Sequence, residues 1–177
     1  IHSILYPQPI YNILIVFEIY IFSHKIFYFL DKIRQRLKIL RGKRIAVLGL
    51  TFKPHTDDLR YAPALKLIHA LVDRGAGVNA YDPIANGKAK SLLPDQVLLF
   101  DDPYAAVRKS EAVVICTEWP QILKMDFRRV KKLVRKPIVF DGRNALSGDY
   151  LTKLGFIYTG VGSRGWRESR KNESFFY

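Results

Sequence analysis

KRIAVLGLTFKPHTDDLR is the sequence of residues 43–60, and this stretch sets the fold of the chain that follows it. Residues 45–48 form a short apolar run that is typical of a buried strand. Gly49 then releases the chain into a polar loop, and Pro63 lies where a helix can begin. An amphipathic run continues over residues 64–72. A strand, a glycine, a loop and a helix in this order predict the first unit of an α/β domain.

The loop after this strand lacks the usual glycine pattern of a dinucleotide site. Such loops carry G-x-G-x-x-G, which lets bare backbone approach a pyrophosphate. Only Gly49 is present here, and the loop carries Phe52, Lys53 and Arg60 instead. A loop of this composition is expected to hold an anion by side-chain charge as well as by backbone amides. It therefore favours a nucleotide other than an NAD bound in the usual way.

Charge and cysteine content narrow the class of protein further. The net charge is +13, and residues 41–160 supply most of it with 20 basic and 12 acidic residues. This excess favours anionic partners such as nucleotides, nucleic acid or acidic surfaces. The single cysteine, Cys116, excludes an intrachain disulfide and fits a reducing compartment, so we expect a cytoplasmic protein.

Residues 1–30 differ from the rest of the chain, with eight Ile, four Phe, four Tyr and no Gly or Ala. Three interpretations stand: a membrane anchor, an apolar dimerisation segment, or a stretch not translated in its native frame, which is the one we favour. A membrane span needs about 20 apolar residues, and this run is interrupted by Glu18, His24 and Lys25. It begins at Ile1 and lacks a basic leading region and a small-residue cleavage site, which argues against a signal peptide.

Alternating strand and helix patterns follow over about 120 residues. They predict a doubly wound, mostly parallel, Rossmann-like sheet over residues 42–164. Residues 31–41 are predicted to form the end of a preceding helix, which stops at Gly42. Residues 165–177 are predicted to form a polar tail. The predicted strands cover residues 45–48, 78–81, 97–100, 112–116, 137–140 and 156–159. The predicted helices cover residues 64–74, 103–107, 125–134 and 147–154.

Ligands of such sheets bind at the carboxyl ends of the strands. The loops at that edge contain cations, flat rings and acceptors: Lys53, Arg60, Arg143, Phe52, Trp119, Glu118 and Asp141. Four of these residues have a simpler alternative. Lys53 is either a phosphate contact or a solvated lysine, and Trp119 either stacks on a base or closes the core. Arg143 and Arg60 either bind an anion or form salt bridges with Asp141, Asp57 or Asp58.

Asp82 ends the second predicted strand, where a Rossmann domain would hold a ribose. We favour the simpler role of capping a helix that begins at Pro83. Cys116 lies at the end of an apolar run and is expected to be a core residue rather than a nucleophile. His55 and His69 lack companion ligands, so no metal is predicted. The basic run over residues 128–136 has no interleaved aromatic rings, which argues against a nucleic-acid site.

Four motifs together resemble the UDP-binding C-terminal domain of the UDP-glucose 6-dehydrogenases, within the UDP-glucose/GDP-mannose dehydrogenase superfamily. They are residues 49–63, Tyr81-Asp82-Pro83, Cys116-Thr117-Glu118-Trp119 and residues 140–144. The resemblance covers residues 31–164. It implies an NAD-dependent, two-step oxidation of UDP-glucose to UDP-glucuronate in a homo-oligomeric enzyme. It also implies that Phe52, Lys53 and Arg143 bind the UDP-sugar and that Arg60 reaches NAD.

The family's glycine-rich NAD loop and its catalytic cysteine have no counterpart in this sequence, and Cys116 is not that cysteine. We therefore expect a fragment that cannot catalyse the oxidation alone. Two alternatives stay open: a non-catalytic UDP-binding or dimerisation module, and a domain of a related UDP-N-acetylhexosamine dehydrogenase.

Overall fold

The computed structural model describes residues 29–161, and the six strands in that range form one parallel sheet. Their order across the sheet is β3-β2-β1-β4-β5-β6, so β1 and β4 lie side by side at its centre. The strands are β1 (Arg44–Leu48), β2 (Gly77–Tyr81), β3 (Leu98–Leu99), β4 (Ala112–Ile115), β5 (Ile138–Asp141) and β6 (Ile157–Gly160). This topology confirms the predicted doubly wound fold.

Helices cover both faces of the sheet. The first, α1, contains residues 29–37 of the described range. The others are α2 (Pro63–Val72), α3 (Asn86–Ala89), α4 (Pro103–Val107), α5 (Pro120–Leu123), α6 (Phe127–Leu133) and α7 (Gly148–Lys153), with a 3₁₀ turn at Lys90–Leu92. The apolar side chains of α1 to α3 pack on one face, and those of α4 to α7 pack on the other.

Alternation along the strands divides the core into these two layers. In β1, Ile45 and Val47 pack with α1 and α2, whereas Ala46 and Leu48 pack on the opposite face. All four residues are fully buried, as are those of β4. A strand covered on both faces needs apolar residues at every position, which is why its sequence is a continuous apolar run.

Two predicted boundaries are wrong, each for a local reason. Helix α1 ends at residue 37 because Lys38 takes a left-handed conformation with φ of 63°, so Gly42 is not its stop. Gly42 instead donates its N–H to the carbonyl of Gly75 at 2.8 Å and turns the chain into β1. The helix expected at Pro83 begins only at Asn86. The short helix α5 was not predicted.

Several predictions fall outside the described residues. The interpretations of the segment over residues 1–30, of which only Phe29 and Leu30 are described, and of the polar tail over residues 165–177 belong to this group, and the domain boundaries stay predictions. Phe29 and Leu30 begin the described part of α1 and are buried, and the Phe29 ring meets Phe140 edge-on at 6.3 Å. Between residues 29 and 161, none of the helices combines the length and the apolar character that a membrane crossing requires.

Candidate functional site

The site forms at the carboxyl edge of the sheet, where the loops after β1 and β4 meet. These two strands are neighbours, and their helices pack on opposite faces, which makes this the switch point of the sheet. The N–H of Gly49 donates to the carbonyl of Tyr81 at 2.8 Å, and the N–H of Cys116 donates to Leu48 at 2.9 Å. Backbone pairing therefore continues just past the strands before the loops diverge.

Gly49 lets the two loops pack against each other. Its φ of 85° is in the left-handed region, and a Cβ atom there would lie 2.6 Å from Cβ and 2.7 Å from the backbone N of Thr117. The Thr117 hydroxyl also donates to the carbonyl of Thr51. Protein atoms thus occupy the approach that a pyrophosphate takes in a dinucleotide-binding loop.

Asp82 holds the β1 loop and the β4 loop in place. Its buried Oδ2 accepts hydrogen bonds from the N–H groups of Leu50 at 2.7 Å and Thr51 at 3.2 Å, and from Trp119 Nε1 at 3.2 Å. Trp119 Nε1 also donates to the Thr51 hydroxyl at 2.9 Å. The carboxylate therefore connects three segments of the sheet edge.

The other oxygen of Asp82 accepts from the N–H groups of Ile84 at 3.1 Å and Ala85 at 3.0 Å. These bonds close a turn, and helix α3 then begins at Asn86 without a side-chain cap. The helix-cap interpretation is therefore wrong. The ribose alternative also loses its basis, because internal donors already occupy both carboxylate oxygens.

Trp119 is a core residue. Only 3% of its surface is exposed, and the ring of His55 packs against it with centroids 5.6 Å apart. The core-closing alternative is thus the one that the structure supports, and the ring is not available to stack on a base. Phe52 differs, because 44% of its surface is exposed.

The β1 loop presents Phe52 and Lys53 to solvent. Its shape is fixed by a hydrogen bond from the N–H of Phe52 to the carbonyl of Asp58 at 3.0 Å and by the positive φ of His55. Lys53 is exposed, and within residues 29–161 no hydrogen bond or ion pair to its ammonium group is found. The exposed ammonium group of Lys53 is therefore available to bind an anion at this edge.

Arg60 is paired within its own loop. Its Nε and Nη2 donate to the two carboxylate oxygens of Asp58, both at 2.9 Å, and its backbone N–H donates to the same residue. The pair lowers the pKa of Asp58 to about 2, because the side-chain hydrogen bond favours the ionised form. The salt-bridge alternative for Arg60 is thus present, and the guanidinium is still highly exposed.

Arg60 also lines a groove of about 770 Å³ between the β1 loop, α2 and the segment that follows β2. Asp57, Lys66, His69 and Lys88 contribute to the same groove, and Lys88 pairs with Asp57 across it. Phe52, Lys53 and Arg143 do not line this groove. Arg60 therefore faces a groove that the other predicted binding residues do not line.

A network around Asp141 positions Arg143. Asp141 is fully buried at the end of β5, and its Oδ1 accepts from the backbone N–H of Arg143 at 2.9 Å. Its Oδ2 accepts from the N–H of Leu146 at 2.8 Å and from the Tyr158 hydroxyl at 3.0 Å. Burial, chiefly, raises the pKa of Tyr158. This role of Tyr158 was not predicted, because a tyrosine in a strand pattern gives no sign of its hydrogen-bond partner.

The guanidinium of Arg143 is paired with Glu118. Nε and Nη2 donate to the two carboxylate oxygens, the latter bond being 2.9 Å long. Glu118 lies in the β4 loop, so the expected partners Asp141, Asp57 and Asp58 were wrong for this side chain. The hydrogen bond lowers the pKa of Glu118 and raises that of Arg143. Both groups therefore stay charged at neutral pH.

Cys116 is buried between these loops. Burial raises the pKa of its thiol to about 12, so the thiolate is scarce at neutral pH. The prediction of a core cysteine is confirmed. In the described range, no group of His, Cys, Asp and Glu residues has an arrangement that could hold a metal ion.

A continuous set of contacts thus joins three loops at one sheet edge. Trp119 and Asp82 link the loops after β1 and β4, and the Glu118–Arg143 pair links those after β4 and β5. The fold and this edge define a nucleotide-binding type of α/β domain whose dinucleotide crevice is filled by protein atoms.

Comparison with known families identifies which domain of this type it is. Residues 46–148 match the sequence profile of the UDP-glucose/GDP-mannose dehydrogenase family, UDP binding domain, and the chain belongs to that family. The resemblance stated from the four motifs is confirmed.

Curated relatives agree with this assignment. UDP-glucose 6-dehydrogenase TuaD of Bacillus subtilis is 40% identical over 146 residues, which are 82% of this chain and 32% of that protein. A UDP-glucose 6-dehydrogenase of Pseudomonas aeruginosa is 43% identical over 127 residues, 69% of this chain and 28% of that protein. The chain spans about a third of the length of the curated relatives it matches.

Solved structures share the fold. A UDP-glucose dehydrogenase from Pyrobaculum islandicum has a TM-score of 0.65 at 37% identity, covering 78% of this chain and 30% of that one. A UDP-D-ManNAc dehydrogenase from Pyrococcus horikoshii has a TM-score of 0.59 at 30% identity, covering 80% and 30%. In both cases the matching region is less than a third of the solved chain.

Proposed function

We propose that this chain is the UDP-sugar-binding part of an NAD-dependent UDP-glucose 6-dehydrogenase. The supporting observation is that contacts between the three loops bring an exposed aromatic ring and two cations to one sheet edge. Phe52 and Lys53 come from the first loop and Arg143 from the third. A flat apolar surface beside cations suits a nucleoside diphosphate, whose base is planar and whose phosphates are anionic.

Each of the three residues has a role that its environment permits. Lys53, for which no hydrogen bond or ion pair is found in the described range, contacts the diphosphate as a point charge. Arg143, held by the Asp141 network, offers a planar guanidinium for phosphate oxygens. Phe52 covers the apolar part of the nucleotide with its exposed ring.

NAD does not fit the described residues as a dinucleotide cofactor would require. Gly49 faces Thr117, and both oxygens of Asp82 accept from internal donors. We therefore infer that NAD binds mainly to the part of the enzyme that corresponds to the unmatched two thirds of the relatives. Arg60 is the residue of this chain that we propose to reach toward NAD. No step of the oxidation is assigned to this edge.

The oxidation to a carboxylate passes through a covalent thiohemiacetal in the proposed enzyme class and needs a reactive thiol. Cys116 does not supply one, because it is buried and its thiol pKa is raised to about 12. We expect the purified chain to produce no NADH from UDP-glucose and NAD. NADH formation above a no-protein blank would show that this assignment is wrong.

Calorimetric titration of UDP into the full chain tests the binding role. Lys53→Ala and Arg143→Ala should each weaken binding roughly tenfold, the equivalent of one charge-assisted hydrogen bond of about 1.5 kcal/mol. Lys136→Ala is the matched control, since this exposed lysine precedes β5 at the opposite edge of the sheet. An equal effect in all three variants, or no binding by a folded chain, would contradict the proposal.

UDP-glucose is the sugar nucleotide that we propose, because the curated relatives that match at about 40% identity carry that name. The UDP-D-ManNAc relative, at 30% identity, represents the alternative substrate class. A cytoplasmic location and a homo-oligomeric full-length enzyme complete the proposal. The free thiol of Cys116 fits a reducing compartment.

A further inference from the structure

The Glu118–Arg143 pair lies within the proposed binding edge and occupies one face of a proposed ligand contact. The Glu118 carboxylate accepts hydrogen bonds from Nε and Nη2 of Arg143. These two nitrogens form one edge of a guanidinium that has five N–H donors. The exposed fractions of the two side chains are 33% for Glu118 and 32% for Arg143. Both side chains of the pair are therefore partly exposed, and an anion from solvent can reach the guanidinium.

Two of the three basic side chains at this edge are paired with carboxylates. Arg143 is neutralised by Glu118, and Arg60 is neutralised by Asp58. Lys53 is the cation of these loops for which no ion pair is found between residues 29 and 161. This edge thus has little net positive charge at Arg143, although a diphosphate needs positive charge there.

We propose that Glu118 is a specificity-determining residue whose ion pair with Arg143 must be displaced by the diphosphate. This inference rests on the proposed function, in which Arg143 binds the ligand. A phosphate oxygen bound to the guanidinium would lie close to the Glu118 carboxylate, and the two like charges repel each other. A partly exposed pair of this kind changes an equilibrium constant by no more than ~5-fold, so a ligand held elsewhere can open it.

Displacement has a consequence for ligand choice. A small anion that binds only at Arg143 must compete directly with a bidentate carboxylate. A nucleoside diphosphate is also held at Lys53 and Phe52, so these contacts offset the loss of the pair. Glu118 thereby selects for ligands that bind at several points of the edge and against inorganic phosphate.

Titration of UDP into the full chain tests the inference in two backgrounds. Glu118→Gln should tighten UDP binding by ~3–5-fold, because the neutral amide competes less than the carboxylate for the Arg143 guanidinium. In the Arg143→Ala background, adding Glu118→Gln should change the affinity for UDP by less than ~2-fold relative to Arg143→Ala alone. Glu111→Gln is the matched control, because Glu111 pairs with Arg135 at 3.3 Å just before β4, at the opposite edge.

Unchanged or weaker binding by Glu118→Gln would overturn the inference, and so would an equal gain in both backgrounds. An NMR titration of the Glu118 carboxyl carbon gives a second readout. Its pKa, lowered in the free chain by Arg143, should rise toward the ordinary value when UDP saturates the site. A pKa that stays low in the complex would mean that the pair persists, which also contradicts displacement.

Failure of the proposed function has a different signature. If wild-type chain does not bind UDP and Lys53→Ala behaves identically, the proposed function fails. Inorganic pyrophosphate then becomes the probe of the pair. Tighter pyrophosphate binding by Glu118→Gln than by wild type would keep Glu118 as the competitor for Arg143, and equal binding would remove it.

Discussion

Replacing Asp82 by asparagine should destabilise the whole sheet edge. The carboxylate is 1% exposed and lies between β2 and the loops after β1 and β4. Its Oδ2 accepts from the N–H groups of Leu50 and Thr51 and from Trp119 Nε1, over distances of 2.7–3.2 Å. An amide has only one oxygen, so one set of donors must face an NH₂ group.

The magnitude follows from the less damaging orientation of the new side chain. The amide nitrogen would face the N–H groups of Ile84 and Ala85, which now donate to Oδ1 at 3.1 and 3.0 Å. Each buried donor that loses its acceptor costs ~1–3 kcal/mol. Ile84 is exposed and can bond water, whereas Ala85 is fully buried. Only one buried donor, the Ala85 N–H, loses its acceptor, so we expect Asp82→Asn to lower the free energy of unfolding by about 1–3 kcal/mol.

Urea denaturation of the full chain, followed by far-UV circular dichroism, measures this loss. Asp95→Asn is the matched control, because Asp95 is exposed and should change stability by less than ~0.5 kcal/mol. A loss no larger than that of the control would refute the reasoning. Weaker UDP binding at unchanged stability would likewise contradict the reasoning, because it would mean that the carboxylate acts on the ligand and not on the stability of the loops.

Two further predictions concern Gly49 and Cys116. Gly49→Ala should lower the free energy of unfolding by more than ~3 kcal/mol, since a Cβ would lie 2.7 Å from the backbone N of Thr117. Gly42→Ala is the control: nothing lies within 4 Å of its Cβ, so it should lose only the ~1 kcal/mol that a left-handed non-glycine residue costs. Equal losses of the two variants in urea denaturation would contradict this prediction. Burial keeps the Cys116 thiol neutral, and this contribution is complete below the unfolded pKa of about 8.5 and is lost as pH rises toward a folded pKa of about 12. Between pH 9 and 11, wild-type stability should fall faster than that of Cys116→Ala by up to ~1.4 kcal/mol per pH unit, and parallel slopes would disprove it.

The strands were predictable because burial on both faces constrains every residue. Residues 112–115 are all apolar, and each is fully buried in β4. The same constraint explains β1 and β5. Helices that pack on one side were also predicted where a proline and a cap mark the start, as at Asp102 and Pro103 of α4. Helix α5, with four residues, is too short to show a helical period.

Helix and loop ends were predicted less well, since they depend on contacts distant in sequence. The Gly42 error arose because a glycine near a helix end suggests a stop. Lys38, however, adopts the left-handed conformation, and Gly42 serves a turn that pairs with Gly75. Asp82 is a similar case, because its acceptors serve Leu50 and Trp119, which lie more than thirty residues away on either side.

The sequence by itself determined the alternation of strands and helices, the edge at which the site forms, and the residue types present there. These follow from local periodicity and from the geometry of parallel sheets. Only the tertiary structure decided which side chains pair. Arg143 joins Glu118, Arg60 joins Asp58, Trp119 closes the core, and Lys53 is left exposed. Pairing depends on distances between loops that are remote in sequence, and the packing of the two apolar layers sets those distances.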